Sequence, residues 1–194
     1  NYSSIKTTHY MMPAFNNFTT KAKEAIRKSH ELAIERGQNH VSSHHLLAAL
    51  LTQEESLVMA MLEKMDVDTI LLTDSLLEHI EGGDSGGTMA PSYQIYLTPD
   101  LAQIIEHSVK VAEELDDEFV STEHLFLAAL SVQGQAQELL SRFRIKPDQA
   151  KKILKEIKES GPEAMPQTKQ FRVLSKYARN LTQLAQQDKL DPVI

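Results

Sequence analysis

The chain has 194 residues, 41% of them hydrophobic, which is enough apolar material for one ordinary core or two small ones. Its formal net charge of -7 removes the broad positive field that phosphate-backbone binding needs, so we expect no nucleic-acid partner. The absence of cysteine excludes disulfides, thiolate zinc sites and a cysteine nucleophile. No signal peptide and no apolar run of about 20 residues stands out, so we expect a cytoplasmic protein without a membrane partner.

Residues 1–14 are polar and carry no periodic hydrophobic pattern. Met11 and Met12 lie within this stretch and favour a native start there. We therefore interpret residues 1–14 as a disordered tail, or as residues that precede the native start, and leave them out of the fold.

An internal repeat organises the sequence from Phe18 onward. When Phe18 is laid on Leu97, at an offset of 79 residues, two helical patterns coincide. Small or apolar residues recur at i, i+3, i+4, i+7 and i+11 in both copies, as on one buried helix face. The matching residues are Ala22, Ala25, Ile26, Ser29 and Ala33, then Leu101, Ile104, Ile105, Ser108 and Ala112. Thr19 and Thr98 precede the stripes as predicted N-caps, and Pro99 suits the first helical position.

A second pair of helices is predicted at the same offset, where residues 40–51 align with residues 119–130. Ser42 and Ser121 are the predicted N-caps of these helices. A histidine follows each cap by three residues, where a ring nitrogen can bond a neighbouring turn while the ring packs. These histidines are His45 and His124.

A metal site is not expected near the first of these helices. His40 and His44 have the spacing of four that metal ligands often show, but His40 precedes the Ser42 cap. The two side chains should therefore not share a helical face, and no third ligand stands nearby.

Each copy continues with two more predicted helices. The third helices lie around residues 57–65 and 136–143. The fourth are marked by apolar residues at helical spacing: Leu72, Leu76, Leu77 and Ile80, then Ala150, Ile153, Leu154 and Ile157. The glycine-rich segment 82–87 predicts a flexible connector. The sequence therefore predicts an all-α fold of two pseudo-symmetric four-helix repeats, at residues 15–81 and 96–160.

Beyond the repeats, Gly161, Pro162 and Pro166 predict a linker. An amphipathic stretch follows at residues 174–187, and it has no obvious core of its own to pack on. We therefore interpret residues 161–194 as a linker and the start of a further domain.

The two copies resemble the Clp N-terminal repeat domain of ClpB/ClpC-type two-ring AAA+ unfoldases, over residues 15–160. The resemblance rests on two tandem four-helix copies whose second helices open on S-H-H-L-L and T-E-H-L-F. The endings L-S-K-Y-A-R-N-L-T and K-L-D-P-V-I are similar to the segment that leads into the first AAA+ module of ClpB, ClpC and ClpA proteins. By this resemblance, residues 161–194 are the linker and the start of that module.

The resemblance implies a mobile domain above a hexameric ring. It would bind unfolded or tagged protein substrates, or adaptor proteins, and act with its own AAA+ ring in a ClpC-like protease ATPase or a ClpB-like disaggregase. No glycine is followed by the Lys-Ser/Thr of a phosphate-binding loop, so we expect no cofactor and no enzyme activity in this chain alone. The alternatives are a structural cap that biases ring assembly without binding substrate, and an enzyme using residues 40–45, which lacks an acid, a metal partner and a nucleophile.

The resemblance also implies a substrate-binding site, and we expect Thr19, Asp117 and Glu123 to form it. In ClpB-like relatives the matching glutamate, acidic residue and threonine are linked to handling substrate. In ClpC-like relatives the glutamate of T-E-H in both copies is linked to phosphorylated arginine, whose guanidinium a carboxylate can take bidentately. Here the first copy has His44 instead. We expect Glu123 to be exposed at a helix start, near Asp117 and within reach of Thr19; alternatively it is only a first-turn charge at the positive helix end.

Overall fold

Four helices in each half of the described part of the chain confirm the predicted all-α architecture. The computed structural model describes residues 15–82 and 95–160, and every structural statement below concerns those residues. The first half contains a 3-10 turn (Phe15–Asn17), α1 (Thr20–Glu35), β1 (His40–Val41), α2 (Ser43–Thr52), α3 (Leu57–Lys64) and α4 (Thr69–Gly82). The second contains β2 (Tyr96–Leu97), α5 (Pro99–Glu114), α6 (Thr122–Ser131), α7 (Gln135–Arg142) and α8 (Pro147–Ser160).

Three predicted segments lie outside the described residues: the tail 1–14, the connector beyond Gly82, and the linker 161–194. Within the described ranges, no helix combines the length and the apolarity that crossing a bilayer requires.

The two copies exchange backbone pairings. Strands β1 and β2 are parallel, with Val41 opposite Leu97. An isolated parallel bridge joins Phe18 to Val120. At the offset of 79, Phe18 is equivalent to Leu97 and Val120 to Val41, so this bridge repeats the same pairing with the two copies exchanged. The segment before the first helix of each copy therefore pairs with the segment before the second helix of the other copy.

Helices α2 and α6 form the centre of the core and contact each other across the two copies. Both are apolar around their full circumference, because Leu46 to Leu51 and Leu125 to Leu130 are consecutive buried residues. Helix α1 packs on α2, and α5 packs on α6. The stripes predicted for α1 and α5 are the faces that these helices bury.

The predicted N-caps of the first helices are extended residues, as expected, but only one caps with its side chain. Thr19 Oγ1 accepts a hydrogen bond from the Ala22 amide at 3.2 Å. Thr98 makes no side-chain cap bond, because its hydroxyl donates to Asp100 instead. Pro99 is the first residue of α5, as predicted.

Candidate functional site

The starts of α1 and α6 meet through backbone hydrogen bonds. The Thr19 amide donates to the Val120 carbonyl at 2.9 Å, and the Val120 amide donates to the Asn17 carbonyl at 2.8 Å. Val120 lies three residues before Glu123 and three after Asp117. The structure thus brings the three predicted site residues to one region, formed by the start of α1, the loop between α5 and α6, and the first turn of α6. Thr19 itself is half-buried, with its hydroxyl engaged as the α1 cap.

His124 caps the start of α6 with its ring. The Ser121 amide donates to His124 Nδ1 at 2.8 Å, and His124 Nε2 lies 2.7 Å from Asp117 Oδ2. Because Nδ1 accepts from an amide, the proton belongs on Nε2, and the imidazole is neutral and donates to Asp117. The ring is 1% exposed, so both of its nitrogens depend on these partners.

The first copy builds the same cap with an uncharged partner. The Ser42 amide donates to His45 Nδ1 at 2.9 Å, and His45 Nε2 lies 2.6 Å from Gln38 Oε1. The prediction that each histidine bonds a neighbouring turn while its ring packs is confirmed. Gln38 and Asp117 are equivalent positions at the offset of 79, so the copies differ by one charge here.

Asp117 is engaged by two donors. Its Oδ2 accepts a hydrogen bond from His124 Nε2 and also one from Lys158 Nζ at 2.5 Å. Burial raises the pKa of this carboxyl, but the hydrogen bonds from Lys158 and His124 and the charge of Lys158 outweigh it, so the pKa lies below its ordinary value. The carboxylate is therefore charged at neutral pH and oriented towards α6 and α8.

Glu123 is not exposed, and that expectation was wrong. The residue is 6% exposed, because every residue of α6 except Ser131 is buried where the helix packs against α1, α3 and α5. A helix at the centre of the molecule buries even its first turn, which a surface helix would leave in water.

The carboxylate of Glu123 makes no hydrogen bond or ion pair with any residue of the described ranges. Its oxygens are also not among the fully enclosed unpaired side-chain atoms of those ranges, which are Arg36 Nε, Gln53 Oε1 and Glu63 Oε2. The carboxylate is therefore recessed but still reached by water. Water and the positive end of α6 are therefore its only stabilising surroundings within the described ranges, and the place for a cationic partner is open.

In the first copy, the site equivalent to that of Glu123 holds an acid whose partners all come from the protein. His44 stands at the position of Glu123, and beside it Asp100 binds four donors. Asp100 accepts from Ser43 Oγ at 2.5 Å, from the Gln135 amide at 3.1 Å, from the Leu101 amide at 2.9 Å and from the Thr98 hydroxyl. Burial raises the pKa of Asp100, but these hydrogen bonds outweigh burial and leave the pKa below its ordinary value.

Gly134 allows the start of α7 to approach Asp100 this closely. A Cβ atom at Gly134 would lie 2.5 Å from the Asp100 Cβ, so any other residue would push the two elements apart. An open cleft of about 490 Å³ lies beside this contact, lined by the first turns of α5 and α7 and the residues that precede them. The contact joins the starts of α2, α5 and α7.

His44 lies beside His79 of α4, with ring centroids 5.2 Å apart. Burial lowers the pKa of His44, and His79 lowers it further, whereas the Gln135 backbone and Asp100 act in the opposite direction. His40 lies in β1 and His44 in α2, so the two histidines do not share a helical face, as predicted.

Sequence reasoning missed Lys158 and Asp100. Lys158 lies 41 residues from Asp117, and nothing in its local pattern indicates that contact. Asp100 was visible only as an acid in a first helical turn. Its partners Ser43 and Gln135 lie 57 and 35 residues away, so only the tertiary packing of the helices could reveal them.

Comparison with known sequences matches the chain to one family. The family described as "Clp repeat (R) N-terminal domain" matches residues 17–143. Chaperone protein ClpB of Bacillus anthracis is 32% identical over 186 residues, which cover 92% of this chain and 21% of that protein. Chaperone protein ClpB of Porphyromonas gingivalis is 32% identical over 187 residues, covering 92% and 20%. The chain thus spans about a fifth of the length of these curated relatives.

Solved structures share the fold at low sequence identity. The Hsp104 N-terminal domain from Candida albicans has a TM-score of 0.60 at 19% identity, covering 71% of this chain and 88% of that one. A complex of the ClpV N-domain with a VipB peptide has a TM-score of 0.56 at 22% identity, covering 72% and 86%. From the repeat, the exchanged pairings and these matches, we conclude that the chain belongs to the Clp repeat N-terminal domain family.

Proposed function

We propose that this domain binds extended polypeptide, from unfolded or tagged substrates or from an adaptor protein, by pairing a cationic side chain with Glu123. The observation that carries the proposal is a carboxylate in a residue only 6% exposed, with no partner in the described ranges. A ligand cation would supply the missing partner. Arginine suits the site best, because its planar guanidinium matches a carboxylate with two parallel hydrogen bonds and is weakly hydrated.

The neighbouring predicted residues support the site in different ways. Thr19 holds the start of α1 against Val120, and Asp117 orients the ring that caps α6. Both side chains already have partners within the protein, whereas Glu123 has none there. We propose that Glu123 contacts the ligand and that Thr19 and Asp117 shape the surface around it.

The relatives support a peptide as the partner. A ClpV N-domain, of the same fold as this chain, forms a complex with a VipB peptide. Curated relatives of about five times this length are ClpB chaperones. We therefore propose that the full-length protein is a cytoplasmic AAA+ unfoldase whose ring receives the captured chain, and that this domain recruits substrate without hydrolysing ATP itself.

Glu123→Gln tests the proposal because it removes the charge and keeps the shape. We expect binding of a fluorescently labelled, unstructured arginine-containing peptide to weaken by about 1 to 3 kcal/mol, the range for losing a charged hydrogen bond. Fluorescence anisotropy on the 194-residue chain measures the affinity. A second peptide with glutamine in place of arginine should bind wild type and Glu123→Gln equally weakly.

Glu118→Gln is the matched control, because Glu118 is an exposed acid in the same loop. It removes the same charge from the region without touching the recessed carboxylate. If Glu118→Gln and Glu123→Gln weaken binding equally, the loss of affinity comes from the general negative charge of this region and not from the Glu123 carboxylate. If Glu123→Gln leaves the affinity unchanged, the proposed site is wrong, and Glu123 serves only as a first-turn charge at the positive end of α6.

A further inference from the structure

The last described helix carries a lysine that reaches the loop before α6. Lys158 Nζ lies 2.5 Å from Asp117 Oδ2, and the two side chains are 36% and 29% exposed. Helix α8 ends at Ser160, so the contact joins the last turn of α8 to the loop between α5 and α6.

The contact continues from Asp117 to the first turn of α6. The same Asp117 oxygen accepts from His124 Nε2 at 2.7 Å, and His124 Nδ1 accepts from the Ser121 amide at 2.8 Å. His124 follows Glu123 directly in the chain. The path from Lys158 therefore ends at the residue next to the proposed ligand-binding carboxylate.

The first copy shows what the lysine adds. There the partner of the capping histidine is Gln38, whose amide Nε2 lies 3.4 Å from the Ile80 carbonyl of α4. A neutral side chain needs no counter-charge. In the second copy the partner is a carboxylate, and Lys158 is the cation that neutralises it.

The charge of Lys158 protects the histidine cap. Without it, the Asp117 carboxylate, whose side chain is 29% exposed, would lose one of its two donors and would no longer be held in the orientation that accepts from His124 Nε2. The buried His124 ring would then have a partner fixed at only one of its two nitrogens, and its hydrogen bond from the Ser121 amide to Nδ1 would weaken. The first turn of α6, which contains Glu123, would then lose a contact that fixes its position.

We infer that Lys158 is a positioning residue of the Glu123 site, acting through Asp117 and His124. The inference rests on the proposed function. It assigns to the end of α8 a role in peptide binding that a surface ion pair alone would not have.

Lys158→Met in the 194-residue chain tests the inference with the labelled arginine-containing peptide. We expect about a twofold to fivefold loss of affinity, in line with the modest energy of a partly exposed ion pair. The direction of the change distinguishes a positioning role from a general charge effect. By long-range electrostatics alone, removing a positive charge should improve the binding of a cationic peptide. Lys158→Arg should restore the affinity, since a guanidinium can also reach a carboxylate.

Lys151→Met is the matched control. Lys151 lies on α8, as Lys158 does. The substitution breaks the 3.3 Å ion pair of Lys151 with Glu114 and removes the same charge. We expect it to leave the peptide affinity unchanged or slightly improved. The amide proton shift of Ser121, which reports its hydrogen bond to His124 Nδ1, supplies a second readout: it should be the same in wild type, Lys158→Arg and Lys151→Met, and should move upfield in Lys158→Met.

The outcomes separate the inference from the proposed function. If Glu123→Gln weakens binding while Lys158→Met behaves like Lys151→Met, the inference is wrong and the proposed function stands. If Glu123→Gln leaves binding unchanged, the proposed site is wrong and the positioning role of Lys158 is wrong with it. Loss of affinity in Lys158→Met with recovery in Lys158→Arg supports the inference.

Discussion

At the scale of single residues, two acids in first helical turns differ in what surrounds them. Asp100 binds four donors from three helix starts, whereas Glu123 has no partner within the described ranges. The donors of Asp100 belong to the protein, so its charge stabilises the fold. The Glu123 carboxylate has only water and the start of α6 to stabilise it, and a ligand cation can therefore gain from pairing with it.

Asp100→Ala should destabilise the fold, because it leaves Ser43 and the Gln135 and Leu101 amides without their acceptor. We expect a loss of about 1.5 to 3 kcal/mol in the free energy of unfolding, the range for hydrogen bonds to a charged group. Urea titration at pH 7 measures it. Asp148→Ala is the control, since Asp148 also follows a proline in a first helical turn but is exposed.

The effect of Asp100 should also depend on pH in a defined direction. The folded pKa of Asp100 lies below its ordinary value of 3.8, so its contribution is complete above that value. It is lost as the pH falls through the lower folded pKa. The difference between wild type and Asp100→Ala should therefore shrink below about pH 4. A difference that stays constant from pH 7 to pH 3 would contradict a stabilising carboxylate.

At the scale of helices, α2 and α6 are equivalent elements that begin with the same ring-based cap. A histidine replaces the glutamate or glutamine that usually stands at the third helical position of a capping box. The imidazole can accept from the cap amide and also donate to a side chain of the preceding loop. Each cap therefore fixes both the helix start and the loop that leads into it.

His45→Gln should make stability less sensitive to pH. Burial, followed by the charges of His40, His44 and Arg36, lowers the pKa of His45 from 6.5 to about 4. In the unfolded chain, His45 therefore binds a proton below pH 6.5, whereas in the folded chain it binds that proton only below about pH 4. Stability contributed by neutral His45 is complete above pH 6.5 and falls as the pH drops towards 4.

Glutamine keeps the capping box and removes this titration, so the melting temperature of His45→Gln should fall less than that of wild type between pH 6.5 and 4. Differential scanning calorimetry at several pH values measures the difference. His107→Gln is the control, because it replaces a half-exposed histidine on α5. Parallel curves for wild type and His45→Gln would show that the ring of His45 titrates normally.

At the scale of the whole molecule, the sequence predicted local features and missed the contacts made between elements far apart in the chain. The offset of 79 and the apolar stripes predicted the helices, because periodicity and caps act within one element. The burial of Glu123 could not be predicted, since it depends on α6 lying at the centre between α1, α3 and α5. The pair of Lys158 with Asp117 depends on how α8 meets a loop 41 residues away.

The exchanged pairings predict that neither copy folds alone. Phe18 and Val41 pair with Val120 and Leu97 of the other copy, and α2 and α6 bury their apolar faces against each other. Separation would expose these faces and leave the Ser43 hydroxyl of α2 without its acceptor Asp100.

We therefore expect residues 1–88 and 89–194, produced separately, to show no cooperative thermal transition by circular dichroism. An equimolar mixture should regain helicity and melt as the intact chain does, at a temperature that rises with concentration because association is bimolecular. Cooperative melting of either fragment alone would contradict the interdependence of the copies, and a mixture that stays unfolded would show that the connection between them is itself required.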